Sequence, residues 1–186
     1  MNAFPEVPLM NDPKLLAFVD AARTTFQTML GIDAKPGAFE RGHGVTTGYD
    51  VSGIVGLSNL EGGGGERQAS LVLSFPEAVA RRAVGRILGL ESLPVLDQEV
   101  ADGIGELASV IAGLAKRGLA RAGIHDCRTT LPNVILGCQH RVFHQRDAER
   151  YGAPFETEIG GFLLQLILLV PIDREGARGN RAAHAV

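Results

Sequence analysis

The sequence contains 186 residues, a length that predicts one compact domain. Apolar residues make up 45% of the chain and charged residues 21%. The apolar fraction is large enough to form a core, and this composition excludes an intrinsically disordered chain. The formal net charge of −3 excludes binding to nucleic acid or to an anionic membrane through bulk charge.

The first 89 residues predict two helices that flank two strands. These elements are a helix over 13–30, strands over 51–59 and 69–75, and a helix over 76–88. Asp12 as an N-cap and Pro13 in the first turn mark the start of the first helix. Gly89 ends the second helix.

Four consecutive glycines lie between the two predicted strands, within 61–66. A glycine-rich run can form a phosphate-binding loop, but here no Gly-Lys-Ser/Thr follows and the next element is a strand. The pattern therefore favours a flexible hairpin tip.

The second half predicts one long helix followed by strands. Asp97 caps a helix of about 25 residues that ends near Ala122 and Gly123. Strands are predicted over 129–138, 155–159 and 162–170, with a polar loop over 140–153 that holds a short strand at 141–144. Pro132 indicates an edge strand or a bulge. The whole chain is predicted to be one α+β domain, with helices on an antiparallel sheet, a core over about 12–172 and a flexible tail over 173–186.

The third helix has two distinct faces. Its core-facing positions are Val100, Ile104, Leu107, Ile111, Leu114 and Ala115. The opposite row consists of Asp102, Glu106, Ser109, Gly113 and Lys116. Pattern alone is compatible with an ordinary solvated face. Four glycines in this helix, at 103, 105, 113 and 118, each cost up to ~1 kcal/mol relative to alanine, which indicates close approach of another backbone or of a partner protein.

This helix resembles the signature helix of the CheC/CheX-type chemotaxis phosphatases. The family signature has Asp or Ser, then Glu four residues later, Asn three residues after that, and Pro beyond about 22 more residues. Asp102, Glu106 and Pro132 match this spacing, but Ser109 stands where the family has asparagine. Similarity extends over about 12–172, and the single copy of the motif resembles the CheX branch.

The resemblance implies a homodimer that hydrolyses the aspartyl phosphate of a CheY-like receiver domain. In such a protein the glutamate pairs with a receiver lysine and the asparagine amide orients the attacking water, so Glu106 and Ser109 are the implied catalytic residues. Asp102, Gly113 and Lys116 are the expected partner contacts. No cofactor is expected in this chain, because magnesium belongs to the receiver. Since a serine hydroxyl is shorter than a carboxamide, the alternative is a non-catalytic receiver-binding or scaffold protein.

Other site assignments have less support. Ser109 as a covalent nucleophile lacks a neighbouring base, and Gly103-Ile-Gly105 lies inside a helix rather than at a strand-to-helix turn. His140 and His144 are four residues apart but lack the His-Glu-x-x-His pattern, so solvated histidines are favoured over metal ligands. An unrelated helix–sheet domain that binds a small molecule is a third hypothesis.

The cysteine and hydropathy patterns predict a soluble, cytoplasmic protein. The N-terminus lacks a secretory pattern, and the apolar stretch 162–172 is shorter than the ~20 residues that span a bilayer. Cys127 and Cys138 lack zinc-site spacing and are expected to be buried, reduced thiols, although a single bridge between them stays open.

Overall fold

Three α-helices pack on one face of an eight-stranded antiparallel sheet in the computed structural model, which describes residues 12–38, 40–42, 46–60, 67–142 and 148–169. The helices are α1 (Pro13–Thr25), α2 (Glu77–Ile87) and α3 (Gln98–Arg121), and a π-helical turn (Phe26–Leu30) extends α1. The strands are β1 (Lys35–Pro36), β2 (Glu40–Gly42), β3 (Thr46–Ser58), β4 (Gln68–Phe75), β5 (Arg128–Thr129), β6 (Asn133–Val142), β7 (Glu149–Glu156) and β8 (Phe162–Leu169). The predicted α+β class is confirmed.

The sheet has the central order β7-β8-β4-β3. The short strands β1 and β2 pair with β7 at one edge, while β5 and β6 pair with β3 at the other edge. Every pairing is antiparallel, and the register places alternate side chains of β3, β4 and β8 against the helices. The edge formed by β5 and β6 lies beside α3 and forms part of the candidate site.

The helix ends follow the capping signals of the sequence. The Asp12 carboxylate accepts a hydrogen bond from the Lys14 backbone at 2.8 Å. Asp97 accepts from the backbone N–H groups of Glu99 and Val100, at 3.1 and 3.4 Å. Both carboxylates therefore satisfy donors that would be unpaired at a helix N-terminus.

The core lies between the helices and the sheet and contains a stack of phenylalanines. The Phe26 and Phe162 ring centroids are 4.4 Å apart, and those of Phe155 and Phe162 are 4.8 Å apart. The apolar positions predicted for α3 are buried, except that Leu114 is only partly so. This burial fixes which face of α3 points away from the sheet.

Several predicted strand boundaries are wrong. The described parts of 140–153 are mostly strand rather than polar loop, because β6 continues to Val142 and β7 begins at Glu149. Charged residues occur in β7 because it lies near an edge, where Arg41 pairs with Glu149 at 2.8 Å. The strand predicted over 155–159 ends at Glu156, since the Thr157 hydroxyl donates to the Gly160 carbonyl at 2.6 Å and closes a turn.

Other boundaries shift by a few residues. The predicted strand 129–138 is divided into β5 and β6 around Leu131 and Pro132. The first helix keeps α geometry only to Thr25, and Pro76 caps α2 rather than belonging to it. The glycine run 61–66, position 170 of the last predicted strand and the tail 173–186 lie outside the described residues.

The cysteine prediction is partly wrong. Both thiols are free, but only Cys127 is buried, whereas Cys138 is exposed because edge strand β6 has no further strand beside it in the described sheet. Across the residues that the structure covers, no helix has the length and hydrophobicity needed to cross a bilayer.

Candidate functional site

The polar row of α3 lies on its outward face. Asp102, Glu106 and Gly113 are exposed, and Ser109 and Lys116 are half-buried. Glu106 and Ser109 are three residues apart, so their side chains emerge on the same side of the helix, one turn from each other. None of these side chains is sealed beneath the core of the chain.

A groove of about 440 Å³ runs between the first half of α3 and strand β6. One wall carries Asp102 and Glu106, and the other carries Pro132, Val134 and Leu136. Gln98, Ala101 and Gly105 complete the lining. The structure thus brings Pro132 to Glu106 across the groove, whereas Ser109, Gly113 and Lys116 continue along the helix beyond it.

The two carboxylates of the groove differ in their contacts. The Gln98 amide donates to Asp102 Oδ1 at 2.7 Å, which holds that carboxylate against the first turns of α3. Within the described part of the chain, ion pairs involve other residues, and Glu106 has no cationic partner. Glu106 is therefore free to accept hydrogen bonds from, or form an ion pair with, a group on another molecule.

Lys116 lies near the end of the polar row that is remote from the groove. Burial raises the pKa of the Cys127 thiol, and the positive charge of Lys116 opposes that rise. Lys116 is not among the groups that line the groove with Glu106.

The glycines of α3 mostly allow close packing within the chain, which is one of the two expected reasons, the other being approach of a partner protein. A Cβ on Gly103 would lie 2.6 Å from Val84 of α2, and a Cβ on Gly118 would lie 2.7 Å from the Ala17 side chain of α1. Gly105 faces Pro132 and Val134 at ordinary contact distances. Only Gly113, of these four, has open space where its side chain would be.

Strand β6 bends just after the groove, and Asp50 holds that bend. Asp50 accepts hydrogen bonds from the backbone N–H groups of Gln139 and Glu77, each at 2.9 Å. These bonds lower the pKa of the Asp50 carboxyl. Gln139 has a φ of 46°, and the β3–β6 register shifts beside it. Asp50 therefore joins the bulge of β6 to the start of α2, next to the wall residue Leu136.

The candidate metal pair is not assembled in the described residues. His140 Nε2 is 2.8 Å from the Ser52 hydroxyl and its Nδ1 is 3.1 Å from the Gly137 carbonyl oxygen, so this ring is bonded internally rather than solvated. His144 lies outside the described residues. No group of three or more potential metal-ligating side chains occurs in the ranges that the structure describes.

Comparison with protein families assigns the chain to a family. The family model described as chemotaxis phosphatase CheX matches residues 51–156, which is more than half of the chain and includes all of α3. The chain belongs to the CheX family. The comparison with curated proteins gives no significant match.

Solved structures of CheX-family and CheC-like proteins share the architecture. A CheC-like superfamily protein from Shewanella sp. PV-4 has a TM-score of 0.75 and 27% identity, with 87% of this chain and 100% of that chain covered. The chemotaxis protein CheX from Desulfovibrio desulfuricans also has a TM-score of 0.75 and 27% identity, with coverages of 85% and 100%. The CheX of the CheX–CheY–BeF3–Mg complex from Borrelia burgdorferi has a TM-score of 0.61 at 21% identity, with coverages of 84% and 98%.

Some residues of this CheX-family site could not be assigned from the sequence. Gln98 was not identified because its part in the site is a side-chain hydrogen bond to Asp102, one helical turn away. Val134 and Leu136 belong to a strand whose partner and register were unknown. Leu131 is 85% exposed beside the groove, and the only signal for it in the sequence is an apolar residue directly before Pro132.

Proposed function

We propose that this chain binds the phosphorylated form of a CheY-like receiver domain and accelerates the loss of its phosphoryl group. The observation that carries the proposal is the outward pair Glu106 and Ser109, one turn apart on the signature helix of a CheX-family protein. The Borrelia burgdorferi CheX that was solved with CheY supports the partner class.

The reaction requires few reactive groups from this chain. Water attacks the phosphorus atom, the bond between phosphorus and the aspartate oxygen breaks, and the products are inorganic phosphate, a free aspartate carboxylate and a proton. A phosphatase of this kind positions the water and the receiver groups around the phosphoryl. Glu106, which has no ion pair in the described residues, provides the carboxylate for a receiver cation.

Ser109 takes the water-positioning role in this proposal. Its hydroxyl both donates and accepts a hydrogen bond, but it has one polar atom where a carboxamide has two and it reaches less far from the helix. We therefore expect a slow phosphatase. The second candidate is a receiver-binding or scaffold protein without activity, and the observation that favours it is the serine at this position.

The other residues of the polar row belong to the same proposal. Asp102, Gly113 and Lys116 contact the receiver around the central pair, and magnesium is held by the receiver rather than by this chain. The family assignment supports a homodimer in the cytoplasm that contacts neither nucleic acid nor membrane. Sedimentation of the purified chain tests the homodimer directly.

The test measures phosphate loss from phosphorylated CheY-like receivers in the presence of three forms of the chain. Wild type should accelerate the loss, and Glu106→Ala should abolish most of that acceleration. Ser109→Asn should increase the rate above wild type, by up to about 10²-fold, because the amide restores the second polar atom.

The three rates separate the two candidates. If wild type leaves the intrinsic decay unchanged and Ser109→Asn accelerates it, the chain is a binder and the enzyme proposal is wrong. If no form of the chain binds any receiver, both candidates are wrong.

A further inference from the structure

Leu131 is unusually exposed for a large apolar side chain. Its exposed fraction is 85%, whereas the other exposed large apolar side chains among the described residues have fractions of 37–54%. A single surface leucine needs no explanation by itself. Leu131 requires an explanation because hydrogen bonds fix its backbone and because it lies beside the groove.

The segment that carries Leu131 is fixed by hydrogen bonds on its N-terminal side. The Thr130 N–H donates to the Gly56 carbonyl at 3.0 Å, and the Gly56 N–H donates to the Thr130 hydroxyl oxygen at 2.9 Å. The same hydroxyl donates to the Leu131 carbonyl at 2.9 Å. Pro132 restricts the backbone on the other side. The backbone that carries this apolar side chain is therefore fixed away from the core, which lowers the entropy cost of using the residue in a contact.

Leu131 directly precedes the apolar wall of the groove in the chain. The next residue, Pro132, lines the groove, as do Val134 and Leu136, and the Leu136 side chain is itself 38% exposed. Ile135 alternates to the opposite face of the strand and is not part of this wall. The three wall residues form an apolar strip that faces the carboxylates of Asp102 and Glu106, and Leu131 directly precedes this strip in the chain without lining the groove.

We propose that Leu131 is an anchor residue of the receiver-docking surface, a role that rests on the proposed function. The surface formed by Leu131 and the groove accepts a partner that places a cationic side chain against Asp102 and Glu106 and an apolar patch over Leu131. In protein interfaces a few side chains that become fully buried on binding carry most of the binding energy.

The negative charge of the groove favours a receiver of this kind, rather than a second copy of the chain, as the partner. A two-fold symmetric contact places the same surface of each copy against the other. Over this groove it would bring Asp102 and Glu106 towards the corresponding carboxylates, which no basic side chain of the described lining neutralises. A partner with a basic side chain in this position instead gains favourable electrostatic interaction.

The experiment measures the affinity of the full chain for a CheY-like receiver domain loaded with beryllofluoride. The binding readout is independent of whether Ser109 supports hydrolysis. Leu131→Ser should raise Kd by about tenfold, since it removes an apolar side chain that the contact would bury. Leu90→Ser is the matched control, because Leu90 is 51% exposed and does not line the groove, and its Kd should equal that of wild type.

A second variant tests how Leu131 is held. Thr130→Val removes the hydroxyl that links Gly56 to the Leu131 carbonyl and should raise Kd by a smaller factor, about threefold. If the Leu131→Ser variant still accelerates phosphate loss, its kcat/KM should be lower than that of wild type, mainly because its KM is higher.

The outcomes distinguish this inference from the proposed function. If wild type and Leu131→Ser bind equally while Glu106→Ala binds weakly, Leu131 is not an anchor but the receiver site stands. If Leu131→Ser lowers the sedimentation mass of the chain and leaves receiver affinity unchanged, the surface is a self-contact and the inference is wrong. If wild type does not bind any receiver, the proposed function fails and the inference fails with it.

Discussion

Asp50 connects three parts of the structure through one carboxylate. It lies in β3, accepts from the first residue of α2 and accepts from Gln139 in the bulge of β6. The ionised carboxylate has two acceptor oxygens, so it can accept a hydrogen bond from each of the two backbone N–H groups. A side chain far from Glu106 in sequence thereby sets the course of the strand that forms one wall of the groove.

Asp50→Asn should lower the free energy of unfolding by about 1 kcal/mol at neutral pH, a value kept small because the group is largely exposed. The amide nitrogen of asparagine cannot accept the second backbone hydrogen bond. Urea unfolding measures the difference. Asp126→Asn is the matched control, since Asp126 is exposed and no hydrogen bond or ion pair to its side chain occurs in the described residues.

The effect of Asp50 should also depend on pH, in the direction set by its lowered pKa. A carboxyl whose folded pKa lies below the unfolded value of 3.8 contributes stability that is fully present above that value. This contribution is lost as the pH falls through the folded pKa. The stability difference between wild type and Asp50→Asn should therefore be constant from pH 5 to 7 and become smaller in acid below about pH 3.8. An unchanged difference at low pH would contradict this role.

The elements around α3 determine which of its faces is available. Its N-terminal half packs against α2 at Gly103 and against the sheet, where a Cβ on Gly53 would lie 3.2 Å from Ile104 and Ala108. Further along, α1 approaches at Gly118, where an added Cβ would lie 3.2 Å from the Ala17 Cα. The helix is thus covered on several sides, and the row from Asp102 to Gly113 remains outward.

Two glycine substitutions on α3 should therefore have opposite effects on stability. Gly118→Ala should destabilise the protein by about 1–3 kcal/mol, because the new methyl group overlaps the backbone of α1. Gly113→Ala meets no atom within 4 Å and should stabilise it by up to ~1 kcal/mol through helix propensity. Thermal unfolding of the two variants measures both effects.

The same pair of variants tests the outward face. If a receiver approaches α3 closely at Gly113, Gly113→Ala should weaken receiver binding even though it stabilises the chain. Unchanged affinity would remove Gly113 from the partner contacts and leave Glu106 unaffected. Equal destabilisation by both substitutions would contradict the packing described for α1 and α3.

At the scale of the whole molecule, local signals predicted the helices better than the strands. The faces of α3 could be assigned because Val100, Ile104 and Leu107 repeat at helical spacing over a long segment. The N-terminal part of strand β7 was missed because Glu149 and Arg150 break the alternation of apolar residues, and its pairing with β8 depends on contacts that no local pattern encodes. The cause of Gly103 and of Gly118 on α3 was also tertiary, since Val84 and Ala17 come from other helices.

Apart from Pro132, which the family signature places at a fixed spacing from Ser109, the candidate site was predictable only where it lies on one element. Asp102, Glu106 and Ser109 share a helix, so their spacing was sufficient to place them together. The groove also requires β6, whose position against α3 follows from its pairing with β3. Residues such as Leu131 and Leu136 could therefore not be assigned to the site before the sheet was known.

The most direct test of the central claim compares the affinity of the chain for a CheY-like receiver with and without beryllofluoride. If Glu106 and the outward face of α3 enter the phosphorylation site, wild type should bind the loaded receiver at least tenfold more tightly than the unloaded one. Glu106→Gln should reduce this preference, whereas Glu99→Gln, which changes an exposed glutamate of α3 outside the groove, should not. Equal affinity of wild type for both receiver forms, or equal effects of the two substitutions, would contradict the account.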